Sequence, residues 1–173
     1  MEINKNDLRL YYGVTHGISL PSKLIKWFQW GDSRTHAFFV LPGEEDNIDP
    51  NQIEADFGGV RTGKLSEFHT PKTKYDIYYV ECESIEQKNN IVSDLKKTIG
   101  MDYDYLGLLG FANRSKGVEN EDKVFCSENI YNVFYKNGLR LFNTLKGSQV
   151  FPSLLTETPL ATHYRMGFIP DKK

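Results

Sequence analysis

Apolar and polar residues alternate with a period of two through much of the first half of the chain, and later shift to a helical period. Leu8-Arg9-Leu10-Tyr11-Tyr12 has the alternation of a strand. Pro21-Ser22 opens a short helix over residues 23–30, which Gly31 ends. Thr35-His36-Ala37-Phe38-Phe39-Val40-Leu41 predicts a strongly apolar strand stopped by Pro42-Gly43, and Gln52-Ile53-Glu54-Ala55-Asp56-Phe57 a second that reaches Gly58-Gly59. Another strand is expected from Tyr75 to Cys82. Ser84-Ile85-Glu86-Gln87 then has the form of a capping box, with Ile91, Val92, Leu95 and Ile99 on one helical face behind it and Gly100 as the stop. The aromatic, Gly-punctuated run at 103–111 predicts a short helix or buried turn. A further amphipathic helix begins near Cys126 and ends at Asn137-Gly138, and Tyr164-Arg165-Met166-Gly167-Phe168-Ile169 suggests a closing strand. Strands first and helices later predict an α+β fold with an antiparallel sheet packed against helices.

Composition narrows this only modestly. The 173 residues suit one domain, expected over 1–173, because no repeat, low-complexity linker or break in composition divides them. A hydrophobic share of 39% indicates a folded core, and a net charge of −2 gives no electrostatic footprint for nucleic acid or an anionic membrane. Two cysteines, Cys82 and Cys126, make no secreted disulfide framework; Cys82 is expected to be a buried strand residue. No run approaches the ~20 apolar residues of a membrane-spanning helix, and the first residues lack the apolar core of a signal peptide, so a cytoplasmic location is expected.

Candidate chemistry centres on Cys126. A thiol in the first turn of a helix meets free backbone N–H groups and the positive end of the helix dipole, which favour a thiolate. Position alone favours a small buried hydrophobe, as most cysteines are. Activation needs a base and a group that orients it, and His16, His36, His69 and His163 compete for the first role. His36 stands out as the start of an otherwise apolar strand, although a half-buried strand-edge histidine has the same pattern. Glu54, on the next strand, can lie beside His36 and accept its Nδ1–H; a solvated outer-face glutamate is the plainer alternative, and Asp56 on the same face is a weaker rival.

Four segments in order resemble the circularly permuted branch of the NlpC-type papain-like cysteine peptidases. They are Thr35-His36-Ala37-Phe38-Phe39-Val40, then Ile53-Glu54-Ala55-Asp56-Phe57-Gly58-Gly59-Val60, then Tyr103-Asp104-Tyr105-Leu106-Gly107, and finally Phe125-Cys126-Ser127-Glu128. Ser22-Lys23-Leu24-Ile25-Lys26-Trp27-Phe28 matches a recurring helix of the same proteins. The similarity runs over roughly residues 8–135, with the His and its polar partner ahead of the Cys, as the permuted order requires. It implies Cys126 as nucleophile, His36 as base and Glu54 as the orienting group, in a cysteine hydrolase that cleaves peptide or peptidoglycan-type amides through a thioester. Thr35 stands where Ser is commoner, and the residues after Gly138 carry no motif of the family.

Tyr103 and Tyr105 are candidates to line the substrate groove, with aromatic packing under the Cys126 helix as the alternative. A second reading is a lipid acyltransferase or acyl hydrolase of the lecithin:retinol acyltransferase type, which shares the permuted layout; Trp27 and Trp30 would then meet an acyl-lipid surface. A third is a non-catalytic binding protein on the same scaffold. No cofactor is expected, and no metal, because His36, Glu54 and Cys126 lack the paired Cys or His spacing of a zinc site.

Overall fold

Strands β1 (Arg9–Thr15), β2 (His36–Val40), β3 (Asn51–Asp56), β4 (Gly59–Lys64), β5 (Lys74–Glu81) and β8 (Thr162–Phe168) form one sheet in the order β4-β3-β2-β1-β5-β8, every neighbouring pair antiparallel. They belong to a computed structural model that describes residues 5–17, 31–103 and 123–171. A two-stranded parallel ladder joins β6 (Asp102–Tyr103) to β7 (Lys123–Val124). The helices are α1 (Leu65–Phe68), α2 (Ile85–Lys97), α3 (Cys126–Lys136) and α4 (Pro152–Glu157), with 3-10 turns at Lys5–Leu8 and Gly147–Gln149.

Strand alternation sorts the sheet into two faces. Leu10, Tyr12, Val14, Ala37, Phe39, Ile53 and Ala55 pack with Ile91 and Leu95 of α2 and with Ile130 and Phe134 of α3. Tyr11, Phe38, Val40, Tyr75 and Ile77 pack on the opposite face with Leu65 of α1 and Ile169. Burying an aromatic such as Phe39 completely is worth about 2 kcal/mol, so the continuous apolar run of β2, covered on both faces, anchors the centre of the sheet.

The expected fold class is the observed one, with informative differences at element ends. The first strand continues beyond Tyr12 to Thr15 through Gly13, where a Cβ would lie 2.2 Å from Cζ of Phe38. Glycine weakens a strand pattern in sequence, but here its missing side chain makes room for a core ring. The cap at Ser84 forms as expected: Ser84 Oγ accepts from Gln87 N–H at 3.1 Å, while Gln87 Oε1 accepts from Glu83 N–H at 2.8 Å. Helix α2 stops at Lys97, short of Ile99, which is exposed. Cys82 is buried but sits one residue past β5, its N–H donating to the carbonyl of Leu8. The expected helix at 23–30 and most of the run at 103–111 lie outside the described residues. Among the described residues no helix is long and apolar enough to cross a membrane.

Candidate active site

Helix α3 begins at Cys126 itself, with extended backbone at Phe125 as its N-cap. Glu128 Oε2 accepts from Phe125 N–H at 3.4 Å, Ser127 Oγ donates to the carbonyl of Val150 at 2.6 Å, and Asn129 Nδ2 donates to Thr98 Oγ1 at 3.0 Å. The first turn is thereby capped from within and tied to two other parts of the chain, at Val150 and Thr98. Cys126 is buried in the core shared by α2, α3 and the sheet.

His36 opens β2, where Thr15 of β1 is its partner and Thr35 N–H donates to the Thr15 carbonyl at 2.9 Å. Glu54 on β3 pairs with Phe38, so His36 and Glu54 occupy one face and stand diagonally across the two strands. His36 Nε2 lies 3.0 Å from Glu54 Oε2. The sequence expectation of an Nδ1–H contact is therefore corrected: a diagonal neighbour is several ångströms farther than a direct one, and the distal ring nitrogen is the one that spans it. The Cys126 side chain interacts with the same ring.

Glu54 is completely buried and surrounded by donors. His69 Nε2 lies 2.7 Å from the same Oε2, and Arg61 donates to Oε1 through Nε at 3.2 Å and a terminal nitrogen at 3.0 Å. Arg61 also reaches Asp56 at 2.8 Å and lies over the ring of Phe68. Asp56, the weaker rival to Glu54, is thus an Arg61 partner. The His36 and His69 rings are 5.0 Å apart, centre to centre.

Electrostatics follow from this packing. Burial alone would push the Glu54 carboxyl up, but the charge and hydrogen bonds of His36 and His69 outweigh it and hold the group well below the usual carboxylate range. Burial likewise disfavours a charged His36; the negative charge of Cys126, that of Glu54 and hydrogen bonds to both prevail, raising it well above its ordinary value. A charged imidazole beside an ionised Glu54 is the favoured pairing. Cys82, by contrast, is pushed up to about 11 by burial and stays a thiol.

His36, Glu54 and His69 offer three ligand atoms within 4.8 Å of one another, two imidazoles and a carboxylate that suit a divalent transition ion. Arg61 on the other oxygen already neutralises much of that carboxylate.

The structure thus brings Cys126, His36 and Glu54 together. Tyr103 is buried on β6, its ring 5.4 Å from that of Phe57, and Tyr105 lies outside the described residues. Sequence reading did not single out Arg61 or place His69. Arg61 was accessible: counting back around the Phe57-Gly58 turn puts Glu54 opposite Arg61. His69 was not, because it arrives through α1, a single turn with no periodic signal.

Residues 18–151 match the family described as permuted papain-like amidase enzyme, YaeF/YiiX, C92 family. No curated protein matches the chain.

Proposed function

The chain belongs to the YaeF/YiiX, C92 family of permuted papain-like amidase enzymes, and on that footing we propose that it hydrolyses amides of the peptide or peptidoglycan-stem type through Cys126, His36 and Glu54. One observation carries this reading: a buried carboxylate holds Nε2 of a histidine whose ring also interacts with a thiol at a helix start. The Cys126 thiolate attacks the acyl carbon, and the oxyanion is held by backbone N–H groups at the start of α3, including that of Cys126. His36 gives its Nδ1 proton to the departing amine, leaving an acyl-thioester on Cys126. Water then attacks the thioester, passes a proton to His36, and releases the carboxylic acid and the thiolate. Glu54 keeps the ring oriented and its positive charge favourable throughout, with Arg61 and His69 fixing the carboxylate.

The test is hydrolysis of a panel of peptide amides and stem-peptide fragments by the intact chain and by Cys126→Ala. Release of amine by the former and not the latter is expected, with a trapped acyl adduct on Cys126. Equal turnover by the two proteins would overturn the assignment of the nucleophile.

A further inference from the structure

A second constellation of nucleophile, imidazole and carboxylate lies one strand over from the first. His16 follows β1 and extends its ladder, its N–H donating to the carbonyl of Lys74 at 2.9 Å. Asp76 on β5 pairs with Val14, so His16 and Asp76 are diagonal neighbours on one face. That is the relation His36 has to Glu54. His16 Nε2 lies 2.7 Å from Asp76 Oδ2, and His16 Nδ1 lies 2.7 Å from Oγ of Ser33. As in the first site the distal nitrogen is on the carboxylate, and here the proximal one is on the serine hydroxyl.

We propose that Ser33, His16 and Asp76 form a second nucleophilic site, a serine acyl-transfer triad for ester substrates.

Three features support it. Asp76 is buried and faced by three cationic or protonatable groups, His16 and Lys74 on Oδ2 and His163 on Oδ1 at 3.3 Å. Burial would raise its pKa, but hydrogen bonds from His16 and His163 and the charge of Lys74 lower it, so the carboxylate is ionised. An ionised Asp76 requires His16 to carry its proton on Nε2, and a neutral ring then accepts the Ser33 hydroxyl proton at Nδ1. Finally, Ser33 is exposed to substrate on an anchored loop: Arg34 N–H and Nε donate to Asp32 Oδ1 at 2.8 and 2.9 Å, and Gly17 N–H donates to Thr35 Oγ1 at 3.0 Å.

Ser33 Oγ attacks the ester carbonyl as its proton passes to His16 Nδ1. The tetrahedral intermediate breaks its bond to the alkoxide, which takes that proton and leaves as an alcohol. Water attacks acyl-Ser33 with His16 again accepting a proton, and the acid departs as Ser33 Oγ regains one. Esters suit an activated hydroxyl because an alkoxide leaves more readily than an amide anion, which must first be protonated.

The experiment treats Cys126→Ala with an alkyl fluorophosphonate and maps the adduct by mass spectrometry, so that failure of the thiol mechanism cannot affect the outcome. One equivalent on Ser33 is expected, absent in Ser33→Ala, with the labelling rate cut about 100-fold or more by His16→Gln. Ser33 is exposed, so its alanine variant retains the fold, and circular dichroism checks the His16 variant; Asp76→Asn, which keeps the shape of the side chain, must also slow labelling. No adduct on Ser33, or the same rate without the His16 imidazole, would overturn the proposal.

Discussion

Nε2 of His36 and Nε2 of His69 converge on one oxygen, Oε2 of Glu54, at 3.0 and 2.7 Å. Arg61 holds the other oxygen. The carboxylate is therefore held from both sides, and the His36 ring is tied to it through Nε2. A carboxylate this buried must be ionised to accept so many donors, and the donors in turn make ionisation favourable.

Replacing Cys126 with alanine is expected to abolish amide turnover and rapid alkylation by iodoacetamide near neutral pH. Cys82 provides an internal control, since it is buried to a similar degree and burial holds its pKa up to about 11. Mass mapping of the alkylated chain would distinguish the two thiols, and equal labelling of both would contradict the picture of an activated Cys126.

Glu54→Gln removes the buried charge while keeping the shape, and should cost about 3 kcal/mol by leaving His36, His69 and Arg61 without it. The pH dependence has a defined sign. Glu54 is held below its ordinary 4.5, so its stabilisation is complete above that value and is lost as pH falls through the native pKa. His36 is raised above 6.5, so its share is complete below that value and is lost as pH rises through the native pKa. Urea midpoints measured against pH should show the greatest advantage of wild type over Glu54→Gln between these two values, 4.5 and 6.5, narrowing on both sides. A constant difference across the range would refute the assignment.

Zinc should inhibit. The ion would take His36, Glu54 and His69 together and withdraw the base from Cys126, competing with the proton on His36. Inhibition is expected to strengthen as pH rises and to weaken in His69→Gln. Isothermal titration of Cys126→Ala with zinc separates this site from simple thiolate capture: binding that persists without the thiol and falls without His69 is the expected result.

Gly59→Ala should destabilise the fold by about 1–3 kcal/mol. Its φ is +90°, and an added Cβ would lie 2.6 Å from the carbonyl oxygen of Met101. That carbonyl accepts from Val60 N–H at 2.8 Å, and Met101 leads directly into β6, so turnover should fall along with the denaturation midpoint.

The apolar strand β2, the capped helix α2 and the thiol at the start of α3 were legible because each combines a strong period with a local stop or cap. Strand β4 was not: Gly59, Arg61, Gly63 and Lys64 give an edge strand almost no alternating signal, and its pairing with β3 supplies the order. The diagonal between His36 and Glu54 was half legible. Sequence put Glu54 on the strand next to His36, but only the register, with Phe38 opposite Glu54, puts both on one face and decides which ring nitrogen arrives. Asp76 carried no signal of its own, since its meaning depends on a histidine and a serine brought from distant loops.

The short parallel ladder of β6 and β7 has a consequence for how this enzyme can vary. Asp102 sits beside Lys123 and Tyr103 beside Val124, and the chain runs from Val124 through Phe125 straight into Cys126. The ladder thereby holds the start of α3 to the end of β6. Variation at Asp102, Tyr103, Lys123 or Val124 acts within a few residues on the position of Cys126, so these four positions have the least freedom to change independently.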